Sequence, residues 1–247
     1  MDKIILTHSL STQDDSNVLV VGSCRTGKTN FFIKPNLFSL KDSVIIISKD
    51  TDELFEETAS YRKEKFKQKI FTEKDFISRE NLDFLGDNFT IYLTASAINR
   101  GEREELILYS FGWIMHRLEY YPPKKPITVI IDDLALFPVA HDYFKHGSTM
   151  INNIRIIATV QTIYDLKKIY KNPKNIIDLF KIKMFLNINN PDDAEYIIDN
   201  YKSKISKEEM LQLEYSQCLI VGFKKEPIFA NDKIMHWFTY GNPHRKG

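Results

Sequence analysis

The sequence predicts an α/β fold with a mostly parallel central sheet and helices on both of its faces. Three stretches predict it. Val18-Leu19-Val20-Val21 is a short apolar run that breaks into Gly22-Ser23-Cys24-Arg25-Thr26-Gly27-Lys28-Thr29. This is the spacing G-x-x-x-x-G-K-[ST] between a strand and a helix start. Val44-Ile45-Ile46-Ile47 is a continuous β-branched run, which suits a strand covered on both faces. Ile127-Thr128-Val129-Ile130-Ile131 leads into Asp132-Asp133, placing two carboxylates at a strand's C-terminal end, where α/β sheets bind ligands.

The first stretch has the chemistry of a phosphate cradle. Gly22 and Gly27 let the backbone curl so that successive N–H groups face phosphate oxygens. The helix starting near Lys28 adds its positive end. Lys28 supplies a cation for the β/γ-phosphates, and Thr29 offers a hydroxyl to Mg²⁺. The expected binding set for ATP is Gly22, Ser23, Cys24, Arg25, Thr26, Gly27, Lys28, Thr29 and Asn30. Asp132 is expected to hold Mg²⁺ with Thr29. Asp133 stands where a carboxylate orients or deprotonates attacking water.

Length and composition set bounds. The chain has 247 residues, 43% hydrophobic and 27% charged, enough for one sizeable core. The net charge of +1 gives no global case for nucleic acid, so such contacts must come from local patches. Cys24 and Cys218 have no metal-ligand spacing and fit a reducing, cytoplasmic setting. No signal peptide is read in MDKIILTHSLSTQDD, and no apolar run reaches bilayer length. Membrane attachment would need a partner.

Taken in order, residues 1–16 read as a lead-in with an edge strand at Lys3–Leu6. Residues 17–235 read as one nucleotide-binding domain and 236–247 as a loose tail. The first helix is expected to stop before Pro35. Thr51 or Asp52 is expected to cap a second helix running into Tyr61–Lys69. The basic run YRKEKFKQK reads as a solvated helix face or, alternatively, as a phosphate-backbone contact through Lys63, Lys65, Lys67 and Lys69. Short strands follow at Ile70-Phe71 and Phe89–Leu93. Glu102–Tyr120 is an amphipathic helix from its apolar spacing, ended by Pro122-Pro123. His116 on it has no partner at metal spacing. Ile154–Thr159 is a strand leading to Gln161, which either senses the γ-phosphate or caps the next helix. Helices are expected at Tyr164–Tyr170, Pro191–Asn200 and Ser206–Gln212. Strands are expected at Lys183–Ile188, Gln217–Gly222 and Pro227–Ala230.

These residues carry a resemblance. Thr26–Leu37, TGKTNFFIKPNL, is similar to the phosphate-loop helix and following Pro-Asn-Leu of type IV secretion coupling proteins, the TraG/TraD class of conjugation ATPases. Ser43–Ile47 with Glu53-Leu54 and Thr58, Ile131–Ala135, Thr159-Val160-Gln161, and Glu209, Pro227-Ile228 and Lys233 resemble later segments of that class. Two spellings depart from it: Ser48-Lys49-Asp50 replaces an Asp-Pro-Lys turn, and Asp133 replaces a glutamate. The resemblance implies a RecA-like P-loop NTPase that assembles into a ring, usually hexameric. It implies ATP and Mg²⁺ as cofactors, DNA or nucleoprotein as cargo, and a secretion-channel or membrane-anchor protein as partner. A neighbouring subunit's arginine would complete the site, with Arg155 and Arg117 as candidates. The expected catalytic set is then Lys28, Asp133, Gln161 and Arg155. Two other readings stay open: a viral or plasmid genome-packaging ATPase, and a nucleotide-binding adaptor with weak or no hydrolysis.

Overall fold

The computed structural model describes residues 1–7, 9–12, 15–48, 51–72, 88–94, 100–137, 153–170, 172–201 and 205–231. Its strands are β1 (Val18–Gly22), β2 (Ser43–Ser48), β3 (Lys69–Thr72), β4 (Phe89–Thr94), β5 (Ile127–Ile131), β6 (Ile154–Val160), β7 (Ile182–Leu186), β8 (Cys218–Val221) and β9 (Ile228–Ala230). They form one sheet in the order β3-β4-β2-β5-β6-β1-β7-β8-β9. Pairing is parallel from β3 through β7 and antiparallel at β8 and β9.

Alternate residues along the central strands feed two cores, as the pleat requires. Leu19, Ile45, Val129 and Ile156 face one layer, with Ile107, Phe111, Ile114 and Leu118 of α3 (Arg100–Tyr120). That layer also holds α4 (Ile163–Ile169), α5 (Pro173–Ile177), α6 (Pro191–Tyr201) and α7 (Lys207–Leu211), through Leu166, Ile176, Ile197 and Met210. Val20, Ile46, Ile130 and Ile157 face the other layer, built from α1 (Lys34–Ser39) and α2 (Thr51–Phe66). Covering both faces is why the β2 run contains no polar alternation. It also buries Thr90 and Tyr92 of β4, whose alternation with apolar residues in the sequence does not mark a solvent face.

Pro35 does not end the first helix. A π-helical turn, Lys28–Ile33, runs directly into α1, with Pro35 as its second residue. The Lys34 N–H bonds Thr29 O, five residues back. A widened turn changes the donor register at this junction, so a residue without an N–H is accommodated there.

The lead-in is packed rather than peripheral. Among its described residues it makes one bridge, Ile5 to Ser11, rather than an edge strand. Ile4 and Leu6 are buried in the α1/α2 layer. The Asn36 amide clamps Ile5, accepting from its N–H at 2.8 Å and donating to its C=O at 2.9 Å. The tail at 236–247, Lys233 and the Thr51 and Asp52 side chains lie outside the described residues.

Candidate nucleotide site

The phosphate loop joins β1 to the π-turn. Arg25 (φ 62°) and Gly27 (φ 84°) take left-handed backbone, which turns the loop back on itself. A Cβ at Gly27 would meet the Phe31 ring at 2.0 Å, so only glycine fits beneath that ring. At Gly22 it would meet Thr26 Oγ1 at 2.7 Å and Leu186 O at 2.8 Å. Thr26 Oγ1 donates to Ser23 O at 2.9 Å and closes the turn. Lys28 Nζ lies over the loop, donating to Gly22 O at 2.5 Å and Ser23 O at 3.0 Å. Burial lowers its pKa, and the nearby Asp133 and Asp132 pull in the opposite direction. A phosphate chain offers this ammonium stronger, charged acceptors than two carbonyls do.

The carboxylate pair meets this loop. Thr29 Oγ1 donates to Asp132 Oδ2 at 3.1 Å, and Ser48 Oγ, at the end of β2, donates to the same oxygen at 3.3 Å. The other oxygen, Oδ1, accepts from Thr159 Oγ1 at 2.8 Å. Thr159 Oγ1 also accepts from the Asp133 N–H at 2.9 Å. Asp133 itself has φ 68° and accepts from Gln161 Nε2 at 2.8 Å. Burial pushes the Asp133 carboxyl up from its ordinary value; the Gln161 bond and Lys28 pull it back down.

Strand order explains this convergence. β6 lies between β5 and β1, with Ile131 paired to Ala158 and Val20 to Thr159. Thr159 and Gln161 therefore emerge between the acidic pair and the phosphate loop. Residues 6–81 match the family model described as Type IV secretory system Conjugative DNA transfer. The fold is similar to that of TrwB, a protein described as a plasmid coupling protein. TrwB in complex with ADP and Mg²⁺ aligns at TM-score 0.66 and 9% identity, over 93% of this chain and 89% of that one. TrwB with the non-hydrolysable ATP analogue ADPNP gives 0.60 at 12% identity, with the same coverage. VirB4 of Thermoanaerobacter pseudethanolicus gives 0.62 at 12% identity, over 90% of each chain. No curated protein sequence matches the chain.

Within this fold, the residues present suit ATP and Mg²⁺. The loop is shaped by two positions where a side chain would intrude, and it presents backbone donors and one ammonium. Thr29 and Asp132 offer hard oxygen ligands to Mg²⁺, whose remaining positions would be filled by phosphate and water. Among the described residues no group of three or more His, Cys, Asp or Glu could hold a metal alone. The metal would supply charge neutralisation between phosphates.

Arg155 does not join the site. It is the second residue of β6, fully buried, and donates to Asp2 O at 2.6 Å and Thr128 Oγ1 at 2.9 Å. Four residues separate it from Thr159, roughly 13 Å of strand. Buried and committed to these partners, it is not presented at the surface; it ties the lead-in to the sheet. Arg117 lies in the last turn of α3, with its guanidinium 3.5 Å from the Tyr121 ring centroid. The connection from there enters the amino end of β5, away from the phosphate loop. Gln161 does not cap α4. That role falls to Thr162, which accepts from the Asp165 N–H. Asn189, whose side chain bonds Ser23 Oγ at 2.5 Å, carried no sequence signal. Ser48 stood in the sequence only as part of a departed motif.

Proposed function

We propose that this chain is the ATP-binding, ATP-hydrolysing motor of a type IV coupling-protein-like machine, driving DNA or nucleoprotein transfer in conjugation. The observation that carries the reading is the 3.1 Å bond from Thr29 to Asp132, which brings the two halves of a Mg²⁺–triphosphate site together. The match of residues 6–81 to a conjugative DNA transfer family supports the substrate class. In this reading Lys28 holds the β/γ-phosphates and Thr29 and Asp132 hold Mg²⁺. Asp133, steadied by Gln161, orients the attacking water. Subunits assemble as a ring, in sixes by analogy with the class, and a partner brings the ring to the inner face of the membrane. No helix among the described residues is long and apolar enough to cross one.

The test is ATP turnover with and without single- and double-stranded DNA. DNA-stimulated hydrolysis is expected, and it should be lost in Lys28→Ala and Asp133→Asn. ATP binding without turnover under every DNA condition would replace the motor with a nucleotide-binding adaptor.

A further inference from the structure

The sheet rim opposite the nucleotide site carries an aromatic and cationic strip. We propose that this amino-end rim binds single-stranded nucleic acid, with the backbone along its lysines and bases stacked on Tyr120 and Tyr121. The assignment goes beyond the motor reading and does not require hydrolysis.

Topology places the strip. α3 ends at Tyr120, and residues 121–126 return the chain to the first residue of β5. Lys41 lies two residues before β2 and Lys67 two residues before β3, on the same rim. Hydrogen bonds join these connections. Gln68 Nε2 donates to Lys41 O at 2.8 Å, and Asp2 Oδ2 accepts from the N–H groups of Lys41 and Asp42. Asp2 O accepts from Arg155 of β6, and Asn153, just ahead of β6, donates to Pro123 O at 3.1 Å. From β3 to β5 is three strand spacings, roughly 14 Å.

The chemistry suits an unpaired strand. Tyr120 is 67% exposed and Tyr121 56%. The Arg117 guanidinium lies over Tyr121, and Lys41, Lys67, Lys124 and Lys125 are exposed. The rim's acids Asp2 and Asp42 are committed to backbone N–H groups, including Asp2 N to Asp42 Oδ2 at 2.6 Å. Glu119 and Glu64 are exposed acids beside the strip. The His116 ring lies 4.5 Å from the Tyr120 ring and Arg117 covers one side of Tyr121, which leaves the outer side of each exposed ring to a base. Cations beside such rings form a sequence-tolerant stacking platform, whereas a duplex offers mainly phosphates.

The experiment measures fluorescence anisotropy of a labelled oligo(dT) and of a matched duplex, without nucleotide, across a salt series. Reversing Lys41, Lys67, Lys124 and Lys125 to Glu is expected to weaken oligo(dT) binding at least about 100-fold. Each lost contact should flatten the log–log salt slope by about 0.7. Tyr120→Ala and Tyr121→Ala should each cost about tenfold on oligo(dT) and leave the duplex unchanged, while Tyr→Phe retains binding. Binding of a fluorescent ATP analogue should be unaffected throughout, which keeps this test separate from that of the motor. Unchanged oligo(dT) affinity in the lysine or the tyrosine variants would overturn the proposal. So would variants that lose only binding to phosphatidylserine-containing vesicles, which would make the rim a membrane contact instead.

Discussion

Thr159 holds Asp132 and Asp133 at once: its hydroxyl donates to Asp132 Oδ1 at 2.8 Å and accepts from the Asp133 N–H at 2.9 Å. One side chain on β6 thus fixes both the carboxylate proposed to hold Mg²⁺ and the backbone of the residue proposed to orient water. Thr159→Val keeps the shape and removes both bonds. Partners that orient a metal ligand typically contribute 10–100-fold to affinity or activity. Thr159→Val is therefore expected to weaken Mg²⁺-dependent ATP binding and turnover by about that factor, with Thr159→Ser close to wild type. Titration of Mg²⁺ against a fluorescent ATP analogue checks it.

The carboxyl of Asp133 is raised by burial and drawn back down by Gln161 and Lys28. Water activation needs the ionised form, so turnover should fall with decreasing pH at a point above that of an ordinary aspartate. Removing the Gln161 amide removes a bond to the ionised form, so Gln161→Leu should move this acid limb to higher pH. The stability sign is opposite to that of a salt-bridged carboxylate. A folded pKa above the unfolded value means stability is lost as pH rises through that window. Asp133→Asn should therefore abolish turnover while leaving the melting temperature unchanged or raised. Paired pH–rate and thermal profiles test both; a limb that stays fixed in Gln161→Leu would remove glutamine from this role.

Much of this site was legible because strand ends and glycine spacing are local signals. The β1, β2 and β5 runs placed Lys28 and Asp132 at C-terminal strand ends, and the sheet order made them meet. What sequence could not give was depth. Arg155 and Arg62 carry the residue type of a surface or a trans-acting charge, yet both are fully buried. Their partners are backbone carbonyls, hydroxyls and one side-chain amide, mostly from distant segments, which leave no pattern in a one-dimensional reading. The π-turn at Lys28–Ile33 was likewise hidden, because Pro35 reads as a helix stop unless the preceding turn widens.

Arg62 sits inside the run read as a solvated basic face. Its guanidinium instead donates to Leu37 O, Leu40 O, Asp42 O, Thr90 Oγ1 and Gln68 Oε1, joining the end of α1 to β4. Burial lowers its pKa to about 10, and it remains charged at neutral pH. Arg62→Met fills similar volume but orphans buried carbonyls on two connections. A loss of about 3–5 kcal/mol in urea unfolding is expected, because several buried acceptors lose their donor at about 1–3 kcal/mol each, offset in part by no longer burying a charge. Arg62→Lys should recover little, since one ammonium cannot reach a fork of five acceptors. The exposed neighbours Lys63 and Lys65 should each change stability by less than about 0.5 kcal/mol on mutation to Ala.

Lys34 tests how firmly the phosphate-loop helix is seated. Its side chain is 3% exposed and bridges Glu53 at 2.7 Å and Glu57 at 2.8 Å, both on α2. The two ends of this clamp are unequal. Glu53 is 67% exposed and Glu57 32%, so either carboxylate can return to water when Lys34 is removed. The ammonium has no such exit. Lys34→Met should therefore be nearly neutral in stability, whereas Glu53→Gln with Glu57→Gln leaves a buried cation with weaker acceptors. That double variant should cost about 1–3 kcal/mol, below the range for a fully buried pair because solvent screens the glutamates. The Lys34 bond holds the Glu53 carboxyl below its usual value. Its share of stability is thus present above the unfolded pKa and lost as pH falls through the folded one. Urea unfolding at neutral and acidic pH should show the gap between wild type and the double variant closing in acid; a gap independent of pH would remove the ion pair from this account.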